Sequence, residues 1–271
     1  MPSSNAGLRT SRVGGRVNST HPGITRTPTR SGGRSRSMSD QPFRTVDVGA
    51  WIESTDDPTE RTVRRVMRTI LQAVARSPAL SGMMVIKGGV LLALGYGTHR
   101  HTKDVDFSVD APIQQENPDA IRESLQQALA AVCVDHDLLC RVQSDEVRPA
   151  KANATHPTLR LKIGYAVAGS AQHRRMVQGR PSASTVTLDL SFNERTCRPA
   201  TIVVDGHELV AYSLFDQIAE KYRAIIQQTS ERRDRVRRQD VYDIFKILEQ
   251  GHLASMDDRL TLLEIMRQRS G

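Results

Sequence analysis

KGGVLLALGYGTHRHTKDVDFSVD, residues 87–110, changes its periodicity twice. The residues just before it, MMVIK (83–87), form a short apolar run of the kind a buried strand shows. Gly88-Gly89 then punctuates the chain as a tight turn, and VLLALGYG (90–97) reads as a short helix. From Asp104 to Val109 the pattern alternates strictly. Asp104, Asp106 and Ser108 share one face, while Val105, Phe107 and Val109 share the other. The stretch therefore predicts strand, turn, helix and a half-buried strand, in that order.

Working outward, Asp57-Pro58 supplies an N-cap and a first-turn proline for a helix running to about Arg76, with Val63, Val66, Met67, Ile70, Leu71 and Val74 at helical spacing. A crossover helix is predicted from Gln115 to about His136 on Ile121, Leu125, Leu129 and Val132. Period two returns at Leu159, Leu161, Ile163, Tyr165 and Val167. It returns again at Val186, Leu188, Leu190 and Phe192, whose opposite face carries Thr185, Thr187, Asp189 and Ser191. The Gly-, Ser-, Gln- and Arg-rich residues 168–183 read as an exposed hairpin loop. From Ser213 onward the pattern is helical throughout, on Leu214, Ile218, Tyr222 and Ile225, then Val241, Ile244, Phe245 and Leu248, then Leu260, Leu263 and Met266. The expected class is α+β: a mixed sheet with helices against it over residues 43–212, followed by a C-terminal helical bundle over 213–271.

The 271 residues carry a net charge of +8, which invites a nucleic-acid reading until the charge is located. Residues 1–42 hold seven arginines against Asp40 alone, so +6 of the +8 lies there and the remainder is nearly balanced. That leader is built from Ser, Thr, Gly, Pro and Arg, too poor in apolar residues to offset its ordering entropy, and is expected to be disordered. Met38 offers an alternative start. No run approaches the roughly 20 apolar residues of a membrane span, so a cytoplasmic protein is expected. Cys133, Cys140 and Cys197 are odd in number and lack zinc-type spacing, which points to reduced, structural thiols.

Asp104 and Asp106, two residues apart on one strand face, have Cα atoms about 6.5 Å apart and can touch one divalent cation. Like charges that close repel unless a cation or donors fill the gap. In front of them Lys87-Gly88-Gly89 ends a strand and opens a helix, where side-chain-free backbone lets amide N–H groups approach a phosphate. Thr98, Arg100 and Lys103 are candidate polar contacts near the junction. Metal-binding carboxylates beside a phosphate-accepting turn are what in-line displacement at phosphorus requires.

The whole stretch 87–110 resembles the first motif of the AbiEii/AbiGii toxin family, a branch of the polymerase-β-like nucleotidyltransferases. EKYRAI (220–225) and RQDVYDIFKIL (238–248) are similar to that family's later motifs, so the likeness spans about residues 60–250. The resemblance implies that Asp104 and Asp106 bind magnesium (Mg2+), that Lys87, Gly88 and Gly89 seat a nucleoside triphosphate, and that Lys221 contacts the nucleotide. It further implies that Asp189 is the third carboxylate, able to activate an acceptor hydroxyl, and that Asp240 positions nucleotide or Lys221. Asp243, three residues from Asp240 on the same helical face, is open to a structural role. One departure is Val90, where many relatives carry Thr or Ser.

ERRDRVRR (231–238) falls between the two later motifs. Arg232, Arg233, Arg235 and Arg237 are candidate RNA contacts, against the alternative of a solvated charged face. The resemblance implies an enzyme that moves a nucleoside monophosphate from a triphosphate to the 3′ end of transfer RNA and is restrained by an antitoxin. A small hydroxylated compound or a protein side chain as acceptor, or a nucleotide- or RNA-binding module without turnover, stays open at this point.

Overall fold

A computed structural model of the chain describes residues 43–98, 101–150, 154–230 and 237–270. The leader, Arg100, Arg232, Arg233 and Arg235 lie outside them.

The strands are β1 (Phe43–Thr45), β2 (Val85–Lys87), β3 (Asp104–Val109), β4 (Leu138–Arg148), β5 (Thr158–Val167), β6 (Thr185–Phe192), β7 (Pro199–Val204) and β8 (His207–Tyr212). They make one mixed sheet in the order β1-β7-β8-β2-β3-β6-β5-β4. β3 runs parallel to β6 and antiparallel to β2, while β5 lies antiparallel to β6. The helices are α1 (Val48–Glu53), α2 (Pro58–Arg76), α3 (Pro78–Ser81), α4 (Gly88–Tyr96), α5 (Pro118–Cys133), α6 (Ala171–Val177), α7 (Leu214–Ser230), α8 (Arg238–Glu249) and α9 (Met256–Ser270).

The two strand faces sort as the alternation predicts. Val105, Phe107, Val186, Leu188, Leu190, Leu159, Leu161 and Ile163 turn into one core, packed by the apolar stripes of α2 and α5. The Asp57 carboxylate caps α2 at Thr59 N (2.8 Å) and Asn117 caps α5, each followed by a proline at the first helical position. A second core gathers Leu214, Phe215 and Ile218 of α7, Ile247 of α8, and Leu262 and Ile265 of α9 around Leu92. α4 belongs to both. Val90 and Leu91 enter the first core and Leu92 the second, which explains why its sequence is apolar on every side rather than striped. Val90 is fully buried, so this position supplies core packing and no hydroxyl to the turn.

The structure departs from the sequence reading between β5 and β6. Residues 168–183 are not simply a hairpin loop: they contain α6, capped by Ser170 Oγ accepting from His173 N at 3.0 Å. Met176 on that helix is 1% exposed and anchors the excursion to the protein.

Candidate active site

The site begins where β2 stops. Gly88 has φ +74°, a left-handed conformation that favours glycine, and a Cβ there would lie 2.0 Å from Asp106 Oδ2. Only glycine lets the start of α4 approach the carboxylate this closely. Register carries the rest across the sheet, pairing Lys87 with Asp106, Asp106 with Asp189, and Asp189 with Arg160. Four charged side chains from four adjacent strands thus occupy one row. Asp104 stands at the exposed start of β3, one pleat from Asp106 on the same face.

Each of these groups has a different environment. Burial pushes the Asp106 carboxyl up to about 6; Lys87 opposes that shift, while Asp189, Glu220 and Asp104 add to it. Asp189 accepts from Nε and Nη2 of Arg160, at 2.8 and 2.6 Å, in a bidentate pair. The Lys87 ammonium is engaged by Glu194 and by Glu220 Oε1 (2.8 Å). Burial works against the charge on Lys87, yet Glu220 and Glu194 raise its pKa above the usual lysine range. For Glu220 the same burial is outweighed by Lys87, which holds its carboxyl below the usual range.

α7 and α8 close the site from the helical side. Lys221 reaches Asp240 Oδ1 at 2.9 Å and Asp243 Oδ2 at 2.8 Å, and Arg237 reaches Asp240 Oδ2 at 3.3 Å. Lys87, Gly88, Gly89, Asp106, Lys221 and Asp240 all line a single cleft of about 180 Å³. Of the sequence candidates, Asp104 and Asp189 lie beside that cleft in the strand register, and Arg237 is on its rim. Thr98 is buried, and its hydroxyl has no partner among the described residues.

Arg160, Glu194, Gln217 and Glu220 were not singled out by sequence. For Arg160 the signal was available, since it lies two residues from Lys162 on the polar face of a strand already recognised by its alternation. Glu194 and Glu220 meet Lys87 across 107 and 133 residues, and no local spacing encodes that meeting.

A glycine turn against a carboxylate-bearing strand, with helices closing the cleft above it, defines the architecture of a nucleotidyltransferase. A model of the nucleotidyl transferase AbiEii toxin family, assigned to type IV toxin–antitoxin systems, matches residues 69–270, and the chain belongs to that family. Two Helicobacter pylori crystal structures, one of them JHP933, are similar to the chain at 18% identity and a TM-score of 0.45, over 73% of this chain and 70% and 69% of theirs. An antigenic nucleotidyltransferase-like protein from Paracoccidioides brasiliensis is similar at 14% identity and a TM-score of 0.38, over 76% of this chain and 88% of its own. No curated protein matches the chain.

Proposed function

We propose that this enzyme transfers a nucleoside monophosphate from a nucleoside triphosphate to the 3′ hydroxyl of transfer RNA in the cytoplasm, under the restraint of an antitoxin. The observation that carries the chemistry is the row in which the Gly88 turn, Asp106 and Asp189 stand side by side, with Asp104 one pleat away. The family's assignment to type IV toxin–antitoxin systems supports the antitoxin, and the acceptor rests on the resemblance alone.

The residues present fit magnesium. Among the described residues no three His, Cys, Asp or Glu side chains are gathered closely enough to hold an ion by themselves. Two carboxylates with phosphate oxygens and water completing the shell is the arrangement magnesium favours, and the mutual repulsion felt at Asp106 is what a cation would relieve. Asp104 and Asp106 would hold it. When bound, it would supply neutralisation of the charge that builds on the α-phosphate and on the pyrophosphate that leaves as the acceptor oxygen bonds to the α-phosphorus.

The chain's own groups do the remaining work. Lys221, aimed by Asp240 and Asp243, presents an ammonium to the triphosphate in the cleft. Lys87 reaches the same ligand by exchanging one of its two carboxylate partners. Asp189 accepts the proton of the attacking hydroxyl through oxygen lone pairs that Arg160 leaves unused.

Incubating the protein with total RNA and each labelled triphosphate tests the reading. Label at the 3′ end of transfer RNA, lost in excess EDTA, is the expected result. Label on protein or on a small hydroxylated compound, with none on RNA, would move the acceptor elsewhere.

A further inference from the structure

Gln217 lines the cleft, and the reading above leaves its chemistry idle. It sits on α7 one turn before Lys221, so the two side chains share a stripe of the helix. The residue is 1% exposed. Gly88 N donates to its Oε1 at 3.3 Å, which fixes the amide, because exchanging O and N would set donor against donor. Its Nε2 consequently faces the other way, and that buried nitrogen has no hydrogen-bond acceptor among the described residues.

A buried amide donor left unpaired is costly, so such a group is completed from outside the chain, by an ordered water or by a ligand, and the Gln217 donor lines the cleft. Asp106, Glu220 and Asp240 bring negative charge to the cleft, and its cations Lys87, Lys221 and Arg237 are already engaged by carboxylates, so an anion entering here gains from a further neutral donor in the wall. We infer that Gln217 is a nucleotide-binding residue whose Nε2 donates to a phosphate oxygen of the triphosphate while its Oε1 holds the Gly88 turn. The side chain then ties α7 to the phosphate-accepting turn through both ends of one amide. Filling the cleft supplies the missing acceptor and locks the helical region onto the sheet. This rests on reading the cleft as the triphosphate site.

The test uses the full chain labelled with 15N only at glutamine, with the Gln217 side-chain signals assigned by their loss in Gln217→Met. Magnesium tripolyphosphate and a non-hydrolysable nucleoside triphosphate are the probes. The Gln217 amide signals are expected to shift and saturate with the affinity measured calorimetrically, and Gln217→Met is expected to weaken binding about tenfold or more. Gln217→Glu keeps an acceptor for Gly88 and places a further buried acid beside Asp106 and Glu220, so it too should bind weakly and should melt below the wild type. Wild-type affinity in Gln217→Glu, or Gln217 signals unmoved at saturation, would overturn the inference and leave the cleft assignment standing. If neither probe binds the wild-type chain, both fall together.

Discussion

Asp106 and Asp216 are carboxylates of the same fold with opposite surroundings. Asp216, at 0% exposure near the start of α7, accepts from Cys197 N (3.0 Å), Arg198 N (2.9 Å) and Ser213 Oγ (2.9 Å), and pairs with Arg269 Nη1 at 3.3 Å. Every lone pair it can offer has a use. The Asp106 carboxylate has no comparable set of donors among the described residues, and its neighbours on the row and above it are mostly acids. The same contrast separates Asp104 from Asp243, Glu194 and Glu220, each of which faces a lysine. Satisfied carboxylates hold the helical region to the sheet. Among the described residues Asp104 and Asp106 make no ion pair, and under the proposed function that pair takes its partner, a divalent cation, from outside the chain.

The comparison breaks first at the unsatisfied pair. Asp104→Asn and Asp106→Asn keep shape and remove the anionic ligand a hard cation prefers, so transfer should fall about 1000-fold or more. The fold should not suffer. For Asp106 the sign runs the other way: its folded pKa, about 6, lies above the ordinary 3.8, so the ionised group costs stability that grows as pH rises between those values. Asp106→Asn should therefore raise the unfolding free energy at pH 7 by up to about 3 kcal/mol and leave it unchanged near pH 4. Urea unfolding without magnesium at both pH values decides this. An Asp106→Asn variant less stable than the wild type at pH 7 would put Asp106 with the structural carboxylates.

The satisfied side is tested at Asp216. Removing it with Asp216→Ala leaves two backbone N–H groups and a nearly buried guanidinium without their acceptor, so a loss of about 3–5 kcal/mol is expected from chemical denaturation. Transfer by the fraction that stays folded should be near normal. A stable protein with lost transfer would instead place Asp216 in the chemistry.

Asp189 stands between the two classes, since it belongs to the acidic row yet has a bidentate arginine. If it receives the acceptor proton, Asp189→Asn should lower transfer about 100-fold. Nucleotide affinity should be retained. Because Arg160 and Asp189 are both partly solvated, the stability change should stay within about 1 kcal/mol. Normal transfer in this variant would assign Asp189 to the scaffold.

The unsatisfied pair was legible in the sequence, whereas of the satisfied groups Asp243 was named but Asp216, Glu194 and Glu220 were not. Asp104 and Asp106 reveal themselves by spacing on one strand, and the glycine turn lies next to them in the chain. The elements with strong local periodicity, α2, β3, β5, β6 and α7, were legible for the same reason. β4 was missed because it is an edge strand whose second half is exposed, leaving no alternation beyond Leu138, Cys140 and Val142. The β7–β8 hairpin was overlooked despite a real signal: Asp205-Gly206, both at positive φ, is the two-residue turn chemistry that joins antiparallel strands. Glu194 and Gln217 meet their partners only on distant elements, and Asp216 meets all of its own there except the Ser213 hydroxyl, a property of the fold more than of any window of residues.

The smallest expected effect lies at the rim. Arg237, whose side chain is 45% exposed, reaches Asp240 Oδ2 at 3.3 Å, while Lys221 holds the other oxygen of that carboxylate. Exposed pairs contribute little, so Arg237→Gln should change the unfolding free energy by less than about 0.5 kcal/mol. Its effect on ligands depends on what the residue meets. A guanidinium at the cleft mouth that only helps aim Lys221 should leave RNA binding and its salt dependence unchanged and raise the triphosphate KM a few fold at most. One that lies under an RNA backbone should lower RNA affinity and flatten its dependence on salt by about one released counterion, with the triphosphate KM untouched. Titrating RNA at several salt concentrations alongside a triphosphate KM separates the two, and a large loss of stability would instead move Arg237 from the rim to the set of groups that hold the helices in place.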